Sequence, residues 1–178
     1  MSVLAAIVIL TNAAFTVAFD TETRCPAWVA YDLEPCEVVV TNRAAIPFRA
    51  DPRVVESDNG ADYAGSGFDR GHMAPAADFN FSRVALDETY LFSNICPQWP
   101  SLNRGEWAEV ERQVRNLARR GSVNVLTYPV YGPVTNRIGR VRVPDGFCKV
   151  VNGWFGVRQW RVSNLPMGTV SVGVQKER

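Results

Sequence analysis

Gly67-Phe68-Asp69-Arg70-Gly71-His72-Met73-Ala74-Pro75 contains the only histidine in the 178-residue chain, set two positions after an arginine and next to a glycine. A lone imidazole cannot build a multi-histidine zinc site. If it works chemically it works alone, most naturally as a general base whose ordinary pKa lies close to neutral. An arbitrary single histidine is more often a satisfied core or surface group, so the segments on either side decide how this one is read.

Upstream, residues 41 to 67 are rich in Pro, Gly and Asp and lack periodicity, which predicts an irregular surface excursion. Before it, Val8 to Asp20 and Trp28 to Leu33 are rich in Val, Ile, Phe, Thr and Tyr, and Cys36-Glu37-Val38-Val39-Val40 follows after Glu34-Pro35. All three read as strands joined by turns. Downstream of Leu102, Trp107, Val110, Val114, Leu117 and Ala118 fall on one stripe with Glu106, Glu109, Arg112, Arg115 and Arg119 off it, and Gly121 lies just past the end. That spacing predicts an amphipathic helix with a glycine stop. Ser122 to Tyr131, Arg140 to Val143 and Phe147 to Val151 return to strand-like composition, with Gly132-Pro133, Pro144-Asp145-Gly146 and Asn152-Gly153 as turns. The expectation is one α+β domain over residues 1–178 with a central antiparallel sheet.

Bulk composition narrows the function classes. A hydrophobic fraction of 47% supports a sizeable core. Net charge is +1, yet residues 1 to 100 carry 6 Arg/Lys against 13 Asp/Glu, whereas residues 101 to 178 carry 13 against 5. The basic half is almost all arginine, whose forked donors suit phosphate; a solvated arginine-rich face is the competing reading. Cys25, Cys36, Cys96 and Cys148 include no C-x-x-C pair, which argues against a structural zinc cluster, while Cys25 and Cys36 could bridge a hairpin. The run Met1 to Leu10 could be the apolar core of a secretory signal cut near Thr11-Asn12-Ala13, giving a secreted or periplasmic protein. No positive charge precedes it, and its β-branched content suits a strand equally well. Nothing else is apolar enough to span a membrane.

The chemistry-bearing segments after His72 are Ser93-Asn94-Ile95-Cys96-Pro97-Gln98, then Leu102-Asn103-Arg104-Gly105-Glu106-Trp107, then Glu111. With Asp69-Arg70-Gly71-His72 they resemble the DNA/RNA non-specific endonucleases of the ββα-metal type. The likeness covers roughly residues 8 to 155, including Pro26-Ala27-Trp28-Val29-Ala30-Tyr31 near the start and Val143-Pro144, Phe147 and Lys149-Val150-Val151 near the end. It implies a ββα-metal catalytic motif with flanking helices, DNA and RNA as substrates, Mg²⁺ (or Mn²⁺ or another divalent ion) as cofactor, and 5′-phosphate products.

Phosphodiester cleavage needs a deprotonated water, charge neutralisation on the phosphoryl oxygens and help for the departing oxygen. His72 suits the first need. By resemblance, Asn103 is the metal ligand, Arg70 contacts the scissile phosphate and Asn94 lies near the catalytic water. One amide suffices for an ion that keeps most of its water shell, although an Asn before a helix is commonly an N-terminal cap. Glu111, eight residues on and about 12 Å along the axis if all are helical, suits accepting hydrogen bonds from metal-bound water; otherwise it reads as an ion pair with Arg115 at i+4. Asp69 reads as a turn brace, Trp107 as core, and Pro97-Gln98 as setting loop geometry.

Two departures stand out. Phe48 and Asp51-Pro52 fit the family pattern, but its upstream phosphate-binding arginine falls on Ile46, with Arg43 and Arg49 nearby. The chain is also short after Val151. These motivate a competing reading, a catalytically impaired nucleic-acid-binding domain on the same scaffold. A serine hydrolase using Ser66 in Gly65-Ser66-Gly67 fits poorly, with no Gly-x-Ser-x-Gly elbow. A protein inhibitor or a homodimer is open as a partner, with no support in the sequence itself.

Overall fold

The computed structural model describes residues 6–39, 45–133 and 135–166. Its largest feature is a six-stranded antiparallel sheet in the order β1-β2-β3-β6-β9-β10. The strands are β1 (Ile7–Thr11), β2 (Phe15–Asp20), β3 (Cys25–Leu33), β6 (Val123–Val130), β9 (Gly146–Gly153) and β10 (Gly156–Ser163). Between β3 and β6 the chain inserts the single turn α1 (Gly60–Tyr63), strand β4 (Asp69–His72), helix α2 (Arg83–Glu88), strand β5 (Ile95–Gln98) and helix α3 (Trp107–Ala118). A two-residue ribbon, β7 (Arg137–Ile138) with β8 (Val141–Arg142), decorates the β6–β9 connection.

Why these residues take these places is clearest in β6. Val123, Val125 and Thr127 are buried while Asn124 and Leu126 are exposed, the period-two pattern of a sheet with one covered face. The cover includes α3, whose buried residues are Trp107, Val110, Val114, Leu117 and Ala118, the stripe expected from the sequence. Trp107 packs on Phe147 of β9 with ring centroids 5.6 Å apart. The insertion between α1 and β5 packs on β2 and β3 through Phe79, whose ring lies 5.2 Å from Phe15 and 5.1 Å from Tyr31. The α+β class with a central antiparallel sheet therefore holds.

Several local expectations do not hold. The run Val8–Asp20 is two strands, folded back at Asn12-Ala13-Ala14, with β1 taking Ile7–Thr11 of the apolar N-terminal run as an edge strand. Pro35–Glu37 is a tight 3₁₀ turn instead of the start of a strand; the Glu37 carboxylate accepts the Glu34 N–H at 2.9 Å, and Val40 lies outside the described residues. Cys25 is buried in β3 and Cys36 is exposed; both are free thiols, so no bridge joins them. The Asn152-Gly153 turn is displaced to Trp154-Phe155, and β10, unexpected from the sequence, follows with Gly156 at φ 87°. Trp160 and Val162 bury the inner side of that last strand.

Candidate active site

The site forms where β4 pairs antiparallel with β5, Asp69 opposite Gln98, Arg70 opposite Pro97, Gly71 opposite Cys96 and His72 opposite Ile95. Neither strand advertises itself by composition, and both are held by tertiary contacts. Gly71 is a steric requirement: a β-carbon there would overlap the Gln98 side chain, with Oε1 only 2.5 Å away. Gln98 is fully buried, so no open solvent adjoins it to swing into. The strand pair is further pinned by Asn164, whose amide donates to Pro97 O at 3.0 Å and to Pro144 O at 2.8 Å, while its oxygen accepts the Trp99 N–H.

His72, at the end of β4, sits among aromatic rings, with the Phe48 centroid 5.4 Å and the Tyr90 centroid 5.0 Å from its own. Tyr90 meets it edge-on. Arg70, two residues earlier, is exposed, and its guanidinium carbon lies 5.5 Å from the Phe48 centroid and 5.9 Å from that of Tyr63. Phe48 neighbours both, which brings imidazole and guanidinium to one spot. Among the described residues Arg70 forms no salt bridge, leaving its donors available to an anion.

Asn103 does not cap a helix. It lies in Leu102–Glu106, a widened π-type turn preceding α3 in which Gly105 departs from helical geometry (φ −114°, ψ −106°). Such widened turns recur at functional sites. The assumption of continuous helix from Asn103 to Glu111 therefore fails, and their separation is not set by helical rise alone. The Asn103 Nδ2 donates to Asp69 Oδ2 at 2.9 Å, which fixes the amide's orientation and turns Oδ1 away from the carboxylate. Asp69 also receives two hydrogen bonds from Arg104, at 2.9 and 2.7 Å. Burial pushes the Asp69 carboxyl up, but the hydrogen bonds from Arg104 and Asn103 outweigh it and hold the group below its usual range. Asp69 thus braces the turn before α3, not a turn at Gly71 as the sequence suggested, since Asp69–His72 is extended strand.

Asn94 is buried, and its amide is committed to main chain. Oδ1 accepts the Ala74 N–H at 2.9 Å, and Nδ2 donates to Ala74 O at 2.9 Å and to Thr89 O at 3.0 Å. Its own carbonyl accepts the Met73 N–H. The structure places it as a clamp on the residues just after His72, one layer behind the cleft. Glu111 is half-buried on α3, and Arg115, one turn on, donates to the buried Asp78 at 3.0 Å.

The upstream region answers the question raised by Ile46, which is buried core. The Arg49 guanidinium pairs with Asp87 in the pocket lined by Arg53, Arg83 and Glu88. Arg43 lies outside the described residues. Asp51 is buried and ties this segment to the site by accepting from Ser93 Oγ at 2.7 Å. Ser66 is no nucleophile in waiting: its hydroxyl donates to Tyr63 O at 3.0 Å and accepts the Phe68 N–H at 3.2 Å, closing the turn before β4.

Sequence reasoning missed a buried polar cluster behind the site. Lys149 of β9 has no exposed surface; its ammonium donates to Thr127 Oγ1 at 2.7 Å and to Met73 O at 3.4 Å. Asp78 accepts from the Tyr31 hydroxyl at 2.7 Å as well as from Arg115. Burial pushes the Asp78 carboxyl and the Tyr31 hydroxyl up and pulls the Lys149 ammonium down. The available signal was a lysine within the apolar run Phe147–Val151 of a chain that otherwise uses arginine almost throughout.

Two antiparallel strands leading into a helix bring together the His72 imidazole, a solvent-facing arginine and an oriented amide, a ββα arrangement. The sequence profile of the DNA/RNA non-specific endonuclease family matches residues 4–164. Mitochondrial endonuclease G of Bos taurus is 34% identical over 177 residues, an alignment covering 88% of this chain and 59% of that protein. The mitochondrial nuclease of Saccharomyces cerevisiae is 38% identical over 157 residues, covering 77% and 48%. A crystal structure of the EndoG/EndoGI complex superposes with a TM-score of 0.80 at 26% identity, covering 88% of this chain and 74% of that one. The chain belongs to the DNA/RNA non-specific endonuclease family. It spans about 59% of the length of the endonuclease G relatives.

Proposed function

We propose that the chain is a metal-dependent, sugar-non-specific endonuclease that hydrolyses DNA and RNA phosphodiesters and leaves 5′-phosphates. The observation that carries the reading is the strand β4 itself: within four residues it presents Asp69, which orients the Asn103 amide, the salt-bridge-free Arg70, and His72. Asn103 Oδ1 suits a divalent ion that retains most of its water, such as Mg²⁺ or Mn²⁺. Among the described residues no three His, Cys, Asp or Glu side chains gather as a cage. A bound divalent ion supplies charge neutralisation at the phosphate and stabilisation of the leaving oxygen.

The chain's own residues do the rest. His72 takes a proton from the attacking water, with Phe48 and Tyr90 limiting where the ring can point. Arg70, steadied over two aromatic rings, contacts the scissile phosphate and offsets charge that grows in the transition state. Glu111 orders water near Asn103, and Asn94 positions His72 through Met73 and Ala74. Contacts to phosphate without base readout account for indifference to sequence.

The experiment is digestion of plasmid DNA and of RNA by purified protein with Mg²⁺ and with EDTA. Wild type cleaves both only with metal, and His72→Ala lowers kcat by about 100- to 10,000-fold, the usual worth of a general base. Full activity in His72→Ala would defeat the mechanism. The competing reading, a nucleic-acid binder without turnover, draws on the buried Ile46 in place of a phosphate-binding arginine. Gel-shift binding in EDTA with no Mg²⁺-dependent cleavage would establish it instead. The EndoG neighbour is solved with EndoGI in a study of its inhibition, so a protein inhibitor is a reasonable partner to seek.

A further inference from the structure

We propose that Lys149, buried behind the cleft and distant from solvent, is a positioning residue for hydrolysis, setting the main chain that carries His72 in register with helix α3. This rests on the nuclease reading and assigns the buried cluster a part in it. Lys149 reaches three elements at once. Its ammonium binds its cross-strand neighbour Thr127 on β6 at 2.7 Å, lies 5.0 Å from the Trp107 ring centroid at the start of α3, and meets the carbonyl of Met73, the residue after His72, at 3.4 Å.

The charges around it balance. Lys149 and Arg115 face Asp78 and Glu111, with both carboxylates within electrostatic reach of the ammonium. Asp78 follows His72 on the same segment, and Arg115 and Glu111 are one turn apart on α3, so the cluster couples the strand end to the helix across the sheet. Burial of an ammonium is costly unless it is paired and hydrogen-bonded. Lysine, a compact charge with three donors in rotatable array, addresses a hydroxyl, a carbonyl and an aromatic face from one point, whereas arginine spreads its donors over a larger planar fork.

If the cluster only stabilises the fold, removing one cation and one anion together should restore both stability and activity. If Lys149 positions His72, stability returns and turnover does not. The measurements are thermal unfolding and steady-state cleavage of a defined DNA duplex with Mg²⁺ for wild type, Lys149→Met, Asp78→Asn/Lys149→Met and Thr127→Val. Lys149→Met is expected to melt lower and to lose about 100-fold in kcat, the scale of a small misplacement of a reacting group, with KM unchanged. The double variant should regain most of the melting temperature while kcat stays about 100-fold down. Recovery of kcat along with melting temperature overturns the proposal.

Thr127→Val keeps the shape of the site and removes only the hydroxyl that holds the ammonium, so it tests the idea even if Lys149→Met fails to fold. A kcat loss of about tenfold at unchanged KM supports the proposal; an unaltered kcat sinks it. Absence of cleavage by wild type overturns the nuclease reading and this inference with it. Wild-type cleavage with fully active variants removes the inference alone.

Discussion

At the scale of single residues, the candidate site is a set of side chains whose freedom has been spent unequally. Asn94 and Gln98 are buried and serve geometry, Arg70 keeps its donors for an anion, and Asn103 has one arm of its amide tied and one free to be directed. Gly71 is the simplest to test. Gly71→Ala forces a methyl against buried Gln98 and should cost about 1–3 kcal/mol, the usual penalty for overpacking. Pairing it with Gln98→Ala should cost less than the sum of the two single changes, because the same collision is relieved from the other side. Chemical denaturation of the four proteins decides it; simple additivity would show that the strand relaxes at no cost. His72 and Asn103 are legible in the sequence because their neighbours along the chain carry the motif. Lys149 and Asp78 are not, because their partners lie 76 and 37 residues away.

Among elements, the contrast between α3 and the β4–β5 pair shows what local sequence can and cannot carry. The helix announces itself through its buried stripe. The strands Asp-Arg-Gly-His and Ile-Cys-Pro-Gln have neither alternation nor β-propensity, and they exist because Asp69 is tied to the turn before α3 and Pro97 to Asn164. Strand β10 was missed for another reason: the family likeness faded near residue 155, whereas the Trp160 and Val162 alternation continued. The tie at Asp69 has two consequences. Asp69→Ala releases the Asn103 amide, and the Mg²⁺ concentration for half-maximal cleavage should rise by about 10- to 100-fold, as for other losses of support to a metal ligand. Because the folded carboxyl titrates below its usual range, its stabilisation is present above the ordinary carboxylate pKa and is lost as pH falls through the depressed value. Melting temperature followed against pH should therefore fall less steeply on the acid side in Asp69→Ala than in wild type. Parallel acid limbs would refute the coupling.

The molecule as a whole is a one-sided sheet whose covered face carries both its core and a buried ionic cluster. The aromatic layer of Phe15, Tyr31 and Phe79 supplies cohesion, and the Lys149–Asp78–Arg115 group supplies direction. The charge division between the chain's halves was visible in the sequence, but how the halves interleave was not: β9 and β10 join a sheet begun by β1 to β3, with the insertion that carries His72 lodged between. The four cysteines are free, three buried and Cys36 exposed. Ellman titration should thus detect one reactive thiol in the native protein and four after unfolding in guanidinium. Fewer than four in the unfolded, non-reduced protein would reveal a disulfide.

The collision that a side chain at Gly71 would make with Gln98 also bears on what a short signature means. Of the four letters Asp69-Arg70-Gly71-His72, two record proposed chemistry, the imidazole's and the phosphate contact proposed for Arg70, and the other two record construction: Asp69 as a tether and Gly71 as a vacancy filled by Gln98. A descendant that exchanged His72 and gave up hydrolysis would still be stabilised by the tether and the vacancy. Half of the signature could therefore outlive the activity it is taken to announce, and Arg70 and His72 are the letters to inspect for turnover.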